Sequence, residues 1–217
     1  QQAEEALRAN PPADPGAQMN KAEELQEVWK VKRGDLWEIP SKTVPGKAHR
    51  LMCGDSTNAE DVARLMAGEK VILVVTDPPY GVGYADKNIF LNAIGRPNRI
   101  ETPIEGDHQT IEQMAVLWKA AFTIVHEIAQ DGCAFYTFAP QGGDLLMMMM
   151  MMRDSGFQPR HSLIWIKNNH VLGRADYAYK HEPVLYAWKK GGHKFYGGFQ
   201  TSVLEFDKPT KSDLHPT

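Results

Sequence analysis

The chain has only two cysteines among 217 residues, Cys53 and Cys133. That is too few for a disulfide framework or a cysteine-based zinc site, and no other set of ligands is spaced for a metal. No apolar run approaches the roughly 20 residues of a membrane span. The first residues are acidic and polar, without the apolar core of a secretory signal, so the expected compartment is cytoplasmic. Net charge is only −3, so overall charge does not advertise a polyanionic partner. No internal repeat is present.

Charge distribution says more than charge sum. Between Gly156 and Lys194, seven basic residues (Arg160, Lys167, Arg174, Lys180, Lys189, Lys190, Lys194) face only Asp176 and Glu182. A local excess of this kind suits a phosphate backbone; a solvated basic face is the plain alternative.

Residues 1–32 read as a linker rich in Ala, Pro and Gln, followed by a short helix from about Asn20 to Trp29. Residues 33–217 read as one domain. Short strands are expected at Arg33–Ile39 and Arg50–Cys53, then a helix over Ala59–Ala67 leading into the strand Val71–Val75 as a right-handed β-α-β unit. A loop over Gly81–Asp107 is too long to be an idle connection. A helix follows from about Thr110 to Ala129, with Met114, Leu117, Ala121, Ile124, Val125 and Ile128 as its apolar face and Gly132 closing it. Then come a strand at Cys133–Phe138, a helix containing Met147–Met152 with one face in the core, and strands at Ser162–Lys167 and Pro183–Lys189. These last two are joined as an antiparallel hairpin at the sheet edge.

The stretch Val71–Gly81 organises the rest. Five apolar, mostly β-branched residues suit a buried parallel strand. Pro78 and Pro79 then end strand pairing, since neither has an N–H to donate, and Pro78 biases Asp77 towards an extended backbone. A carboxylate and an aromatic ring, Tyr80, are thereby held at the carboxyl end of a strand, where open α/β sheets bind ligands.

Asp77-Pro78-Pro79-Tyr80 resembles motif IV of the DNA amino-methyltransferases. Cys53-Gly54-Asp55, Asp131–Tyr136, Ile164–Asn169, Asp176–Tyr186 and the terminal His215-Pro216-Thr217 match the same family in order. Together, over residues 33–217, they resemble the circularly permuted, β-type N4/N6 DNA methylases common in phage and prophage genomes and in restriction-modification systems. The resemblance implies an α/β fold: a Rossmann-like methyltransferase sheet, mostly parallel with an antiparallel edge hairpin. In that family a Gly-rich cofactor loop follows the His-Pro-Thr segment. No equivalent stands here, for Gly191-Gly192 and Gly197-Gly198 have neither the spacing nor the flanking strand and helix. The chain starts at Gln1 and stops at Thr217, and both ends read as cuts, so the expected sheet is incomplete at the C-terminus.

The resemblance further implies S-adenosylmethionine as cofactor and double-stranded DNA as partner. It makes Asp77 and the Pro78 carbonyl the acceptors for a base amine, with Pro79 stiffening the loop and Tyr80 stacking on the flipped base. Asp55 and Asp77 would lie against the cofactor, Asp55 at its adenine end or simply as a turn residue. Lys167, Asn168, Asn169, Arg174 and Lys180 are candidates for DNA contact, and His181-Glu182 for ordering that loop. Asp-Pro-Pro-Tyr leans towards adenine N6 over cytosine N4. Cytosine-C5 chemistry is set aside, because it needs a cysteine nucleophile, typically after proline, and the two cysteines follow Met52 and Gly132. A methylase fold that binds DNA or a partner without turnover is the reading from another class.

Overall fold

The computed structural model describes residues 22–81, 109–168 and 176–206, together with Gly83, Ile89 and Ala93. Most of the loop expected over Gly81–Asp107, the linker before residue 22, Asn169, Arg174 and His215-Pro216-Thr217 lie outside the described residues. The chain divides into two units. The first comprises Gln1–Lys30, Ala85–Thr102 and Pro209–Thr217 and contains helix α1, Ala22–Trp29. The second, Val31–Tyr84 with Pro103–Lys208, holds every other element below.

In the second unit, β1 (Leu36–Pro40) and β2 (Ala48–Met52) form a two-stranded antiparallel sheet, with Leu36 opposite Met52. Helix α2 (Ala59–Met66) follows, its first turn capped by the Asn58 side chain on the amides of Glu60 and Asp61. The main sheet contains β3 (Val71–Thr76), β4 (Ala129–Phe138), β5 (Phe157–Ile166), β6 (His181–Lys189) and β7 (Val203–Glu205), in the order β3-β4-β6-β5-β7. β3 and β4 are parallel, as are β5 and β7; β6 runs against both β4 and β5. The hairpin is therefore present as β5–β6. Its second strand turns inward beside β4, and the short β7 takes the outer position.

Helices α3 (Ile111–Ile128) and α4 (Gly143–Asp154) cross over from β3 to β4 and from β4 to β5. The core holds Met114, Trp118 and Phe122 of α3, Met148 and Met152 of α4, Cys133 and Phe135 of β4, Phe157 of β5, and Leu185 and Ala187 of β6. Phe135 sits at its centre, edge-on to Phe122 at 5.1 Å and to Phe157 at 4.7 Å. Burying a Phe or Met side chain is worth about 1.5–3 kcal/mol. Alternation along β4 puts Cys133, Phe135 and Thr137 into this core and Tyr136 on the opposite face, stacked on Tyr186 at 4.6 Å. The methionine run contributes a core face, as its helical spacing requires: Met148 and Met152 are fully buried and Met150 is exposed.

Several elements depart from the sequence expectation. β2 does not pair with β3, so no β-α-β unit joins them. β2 takes the strand beside it in sequence, β1, because a hairpin closes a short loop at little entropic cost, and the β-α-β unit is instead β3–α3–β4. α3 ends at Ile128 with β4 starting at Ala129, so Gly132 closes no helix. Gly132 lies inside β4 at φ 77°, where a Cβ would stand 2.8 Å from the backbone of Gly192 and His193. The end of α3 is satisfied from elsewhere: Lys189 Nζ donates to the carbonyls of His126 and Ala129, each at 2.9 Å. A cation at a helix C-terminus is favourable.

Candidate active site

Strand direction determines which residues meet. β3, β4 and β5 end on one rim of the main sheet, and β6 begins there. That rim carries Asp77-Pro78-Pro79-Tyr80 after β3, Ala139-Pro140-Gln141 after β4, His181-Glu182 at the start of β6 and Lys167-Asn168 after β5. Backbone bonds stitch it together: the Ala139 amide donates to the Pro183 carbonyl at 3.1 Å and the Lys167 amide to that of Lys180 at 2.9 Å. Gln141 Nε2 donates to the His181 carbonyl at 2.6 Å.

The loop after β3 is clamped from beneath. Trp118, fully buried on α3, donates its indole N–H to the Pro79 carbonyl at 2.9 Å. Gly81 has φ 72°, and a Cβ there would lie 2.7 Å from the Gln109 carbonyl and 2.9 Å from Met114 Cγ. The entry to α3 is fixed in turn by a Thr110–Gln113 capping box. Pro79 thus gives its carbonyl to the core, while among the described residues no hydrogen bond takes that of Pro78. Asp77 is exposed. Tyr80 is half-buried, and its hydroxyl donates to Asp77 Oδ1. Burial, first, then that hydrogen bond and the nearby Asp77 and Glu182 charges push the Tyr80 hydroxyl well above its ordinary range, so it stays a donor. Oδ2 of Asp77 is left as an acceptor.

Glu182 is tied to Lys167 Nζ at 2.5 Å, and Lys167 also lies 5.2 Å from the Trp165 ring. Lys167 is therefore a braced part of the rim, with its charge already answered. Asn168 and Lys180 are exposed there. The basic excess is likewise partly consumed by the fold: Lys189 caps α3, and Arg160 lies over Trp188 at 4.5 Å.

Asp55 belongs to a different setting, the turn that follows β2. Its Oδ1 accepts from the Thr57 amide at 2.8 Å and the Thr57 hydroxyl at 2.6 Å, and its Oδ2 from Arg33 at 2.6 Å. The Thr57 bonds, then Arg33, hold it below the usual carboxylate range. Among the described residues no hydrogen bond links it to the Asp77 loop. The geometry is that of a turn residue.

Trp118 was the residue sequence reasoning missed. The expected apolar face of α3 ran through Leu117 and Ala121, whereas the helix buries Met114, Ala115, Trp118 and Phe122. The signal was available: Trp118 and Phe122 follow Met114 at steps of four.

Residues 71–213 match the sequence profile of the N6/N4 methyltransferases, a family described as DNA methylase. No curated protein sequence matches the chain significantly. Among solved structures, the chain is similar to M1.HpyAVI, with 17% identity over 72% of this chain and 66% of that one and a TM-score of 0.43. It is also similar to TTHA0409 from Thermus thermophilus, described as a putative DNA modification methylase, with 16% identity over 70% of this chain and 65% of that one and a TM-score of 0.45. The chain spans just under two thirds of the length of either. With the profile covering well over half its residues, the chain belongs to the N6/N4 DNA methylase family.

Proposed function

We propose that the chain carries the base-binding and catalytic side of an S-adenosylmethionine-dependent DNA methyltransferase acting on adenine N6. The observation that carries this is the exposed Asp77 carboxylate beside the Pro78 carbonyl, on a loop clamped by Trp118 and Gly81. The lone pair of an exocyclic base amine is delocalised into the ring, and the amine is a poor nucleophile. Two acceptors for its N–H bonds, Asp77 Oδ2 and the Pro78 carbonyl, favour a tetrahedral nitrogen with the lone pair free. S-adenosylmethionine, when bound, supplies a methyl group already activated on sulfonium. The protein's share is position and electrostatics. The clamp sets position in advance, and the Tyr80 hydroxyl holds the carboxylate while its ring offers a stacking face. An amine inside a duplex cannot reach this loop, so the base must leave the stack.

The residues present fit the base better than the cofactor. Asp55 Oδ2 accepts from Arg33 and keeps a second lone pair for the adenine end of the cofactor, and the partly solvated Arg33 pair could also be released at little cost. The paired glycines lead into no helix: Gly191 packs against Asp131 and the segment runs on to β7. β3 is also open on one side among the described residues, with Ile72 and Val75 exposed by 69% and 64%. A strand this apolar is built to be covered. This supports an incomplete sheet, and with it a second reading in which this chain binds DNA without turning it over.

The test is incubation with unmethylated DNA and S-adenosylmethionine, digestion to nucleosides and mass spectrometry. N6-methyladenine is expected, and Asp77→Ala should reduce it about a hundred- to a thousandfold while leaving DNA binding within twofold. N4-methylcytosine would replace the adenine assignment. No product, with DNA binding intact, would establish the second reading.

A further inference from the structure

A duplex that gives up a base is left with a hole in its stack, and the segment before β6 carries two exposed aromatic rings. Residues 176–180, just before β6, are all exposed, and two of them are tyrosines. Tyr177 is 85% exposed and Tyr179 43%, and among the described residues only the edge of His181, at 6.2 Å, stands against the Tyr179 ring. Two large aromatic rings left in water within three residues are available for contact outside the fold. The segment is nevertheless anchored, since the Lys180 carbonyl accepts from the Lys167 amide and the His181 carbonyl from Gln141. Its anchor stands at the catalytic rim. β6 is separated from β3 only by β4, and the register sets Thr76 level with Leu185 through Thr137, so His181 lies beyond the end of β3, on the side where the Asp77 loop leaves it. Next along the chain, Glu182 is close enough for its charge to act on Tyr80.

Tyr80 cannot fill the hole itself, because its ring is half-buried and its hydroxyl is bound to Asp77. We infer that Tyr177 and Tyr179 form a stacking wedge that enters the duplex where the target base has left it. This rests on the base-extruding methylase reading above. Aromatic faces stack on any base, so the wedge works without reading sequence. The exposed Lys180 beside it meets the adjacent phosphates. The wedge holds the vacated stack open and Tyr80 and Asp77 hold the extruded base, so the two groups divide one substrate between them.

A duplex carrying a single abasic position tests this, because it contains the hole and no extruded base. Anisotropy titrations of the full chain compare it with the intact duplex of the same sequence. The unaltered chain should bind the abasic duplex about tenfold more tightly, the order of one aromatic stack. Tyr177→Ala with Tyr179→Ala should abolish that preference and leave affinity for the intact duplex within twofold. Tyr177→Phe with Tyr179→Phe should retain the preference, since the ring does the work. Equal affinity for the two duplexes, a preference that survives the double alanine change, or an equal loss on both duplexes would overturn the wedge and leave the methylase reading standing. Failure to bind either duplex would overturn both.

Discussion

Two aspartates stand at strand exits in this chain, and they are held in opposite ways. Asp55 is fastened through its own carboxylate, with both oxygens already occupied by Thr57 and Arg33. Asp77 is fastened through its neighbours: Trp118 grips the Pro79 carbonyl and Gly81 is wedged under Gln109 and Met114. The first arrangement consumes the acid in making a turn. The second spends backbone and core contacts on position and leaves a carboxylate oxygen for something else. On the reading proposed above, the acid that meets the substrate is distinguished by what holds the residues around it, more than by its own bonds.

The contrast is broken most severely at Gly81. Gly81→Ala forces a Cβ into the Gln109 carbonyl at a positive φ, a combination of strain and overlap worth about 2–4 kcal/mol. Urea denaturation should show that loss, and methyl transfer should vanish with it. Trp118→Phe is milder, because the ring stays and only the N–H goes. The orphaned Pro79 carbonyl should cost about 1–3 kcal/mol, and turnover should fall about tenfold with KM for DNA little changed. Asp55→Ala should cost about 1 kcal/mol, and the pH dependence of that site sharpens the comparison. Because folding lowers the Asp55 pKa, its contribution is complete above about pH 4, the unfolded-state value, and fades as pH falls through the lower folded-state value. Asp55→Asn keeps the turn acceptor but removes the charge, so acid titration of its stability should show a flatter limb than the unaltered chain.

How much of this was legible in the sequence depended on whether the signal was local. Val71–Thr76 and the helices over Ala59–Met66 and Ile111–Ile128 announce themselves by branching, periodicity and caps, and all three are present. The Asp77 loop was legible because prolines are strong punctuation. Beginnings of strands were not. Phe157–His161 lies outside the strand expected from Ser162, because Pro159 and three polar residues, Gln158, Arg160 and His161, leave no apolar pattern. β5 nevertheless starts at Phe157, with Pro159 at a bulge and the remainder pinned by β6. Gln130-Asp131-Gly132 joins β4 for a similar reason, since a tail more than sixty residues away packs onto Gly132. β7 was missed because three residues carry no periodicity. In the site, the sequence named candidate residues by their chemistry; that Lys167 pairs with Glu182, and that Asp55 is bound into its turn, are properties of distances no spacing reports.

The reversed strand has a consequence for the order in which the molecule is made. Among the described strands β6 is the last long one to be translated, yet it stands between β4 and β5, with Ala134 waiting for Trp188. Such pairings close long loops and form slowly. While the chain emerges, β4 and β5 lack the strand that lies between them, and the rim that brings Glu182 near Tyr80 has no floor. Asp77, Pro78, Pro79 and Tyr80 are translated early, but their surroundings assemble only once Lys189 has cleared the ribosome and reached back to cap α3. During synthesis the nascent chain therefore carries the Asp77 loop without the rim around it, and a ribosome stalled before β6 would hold it in that state.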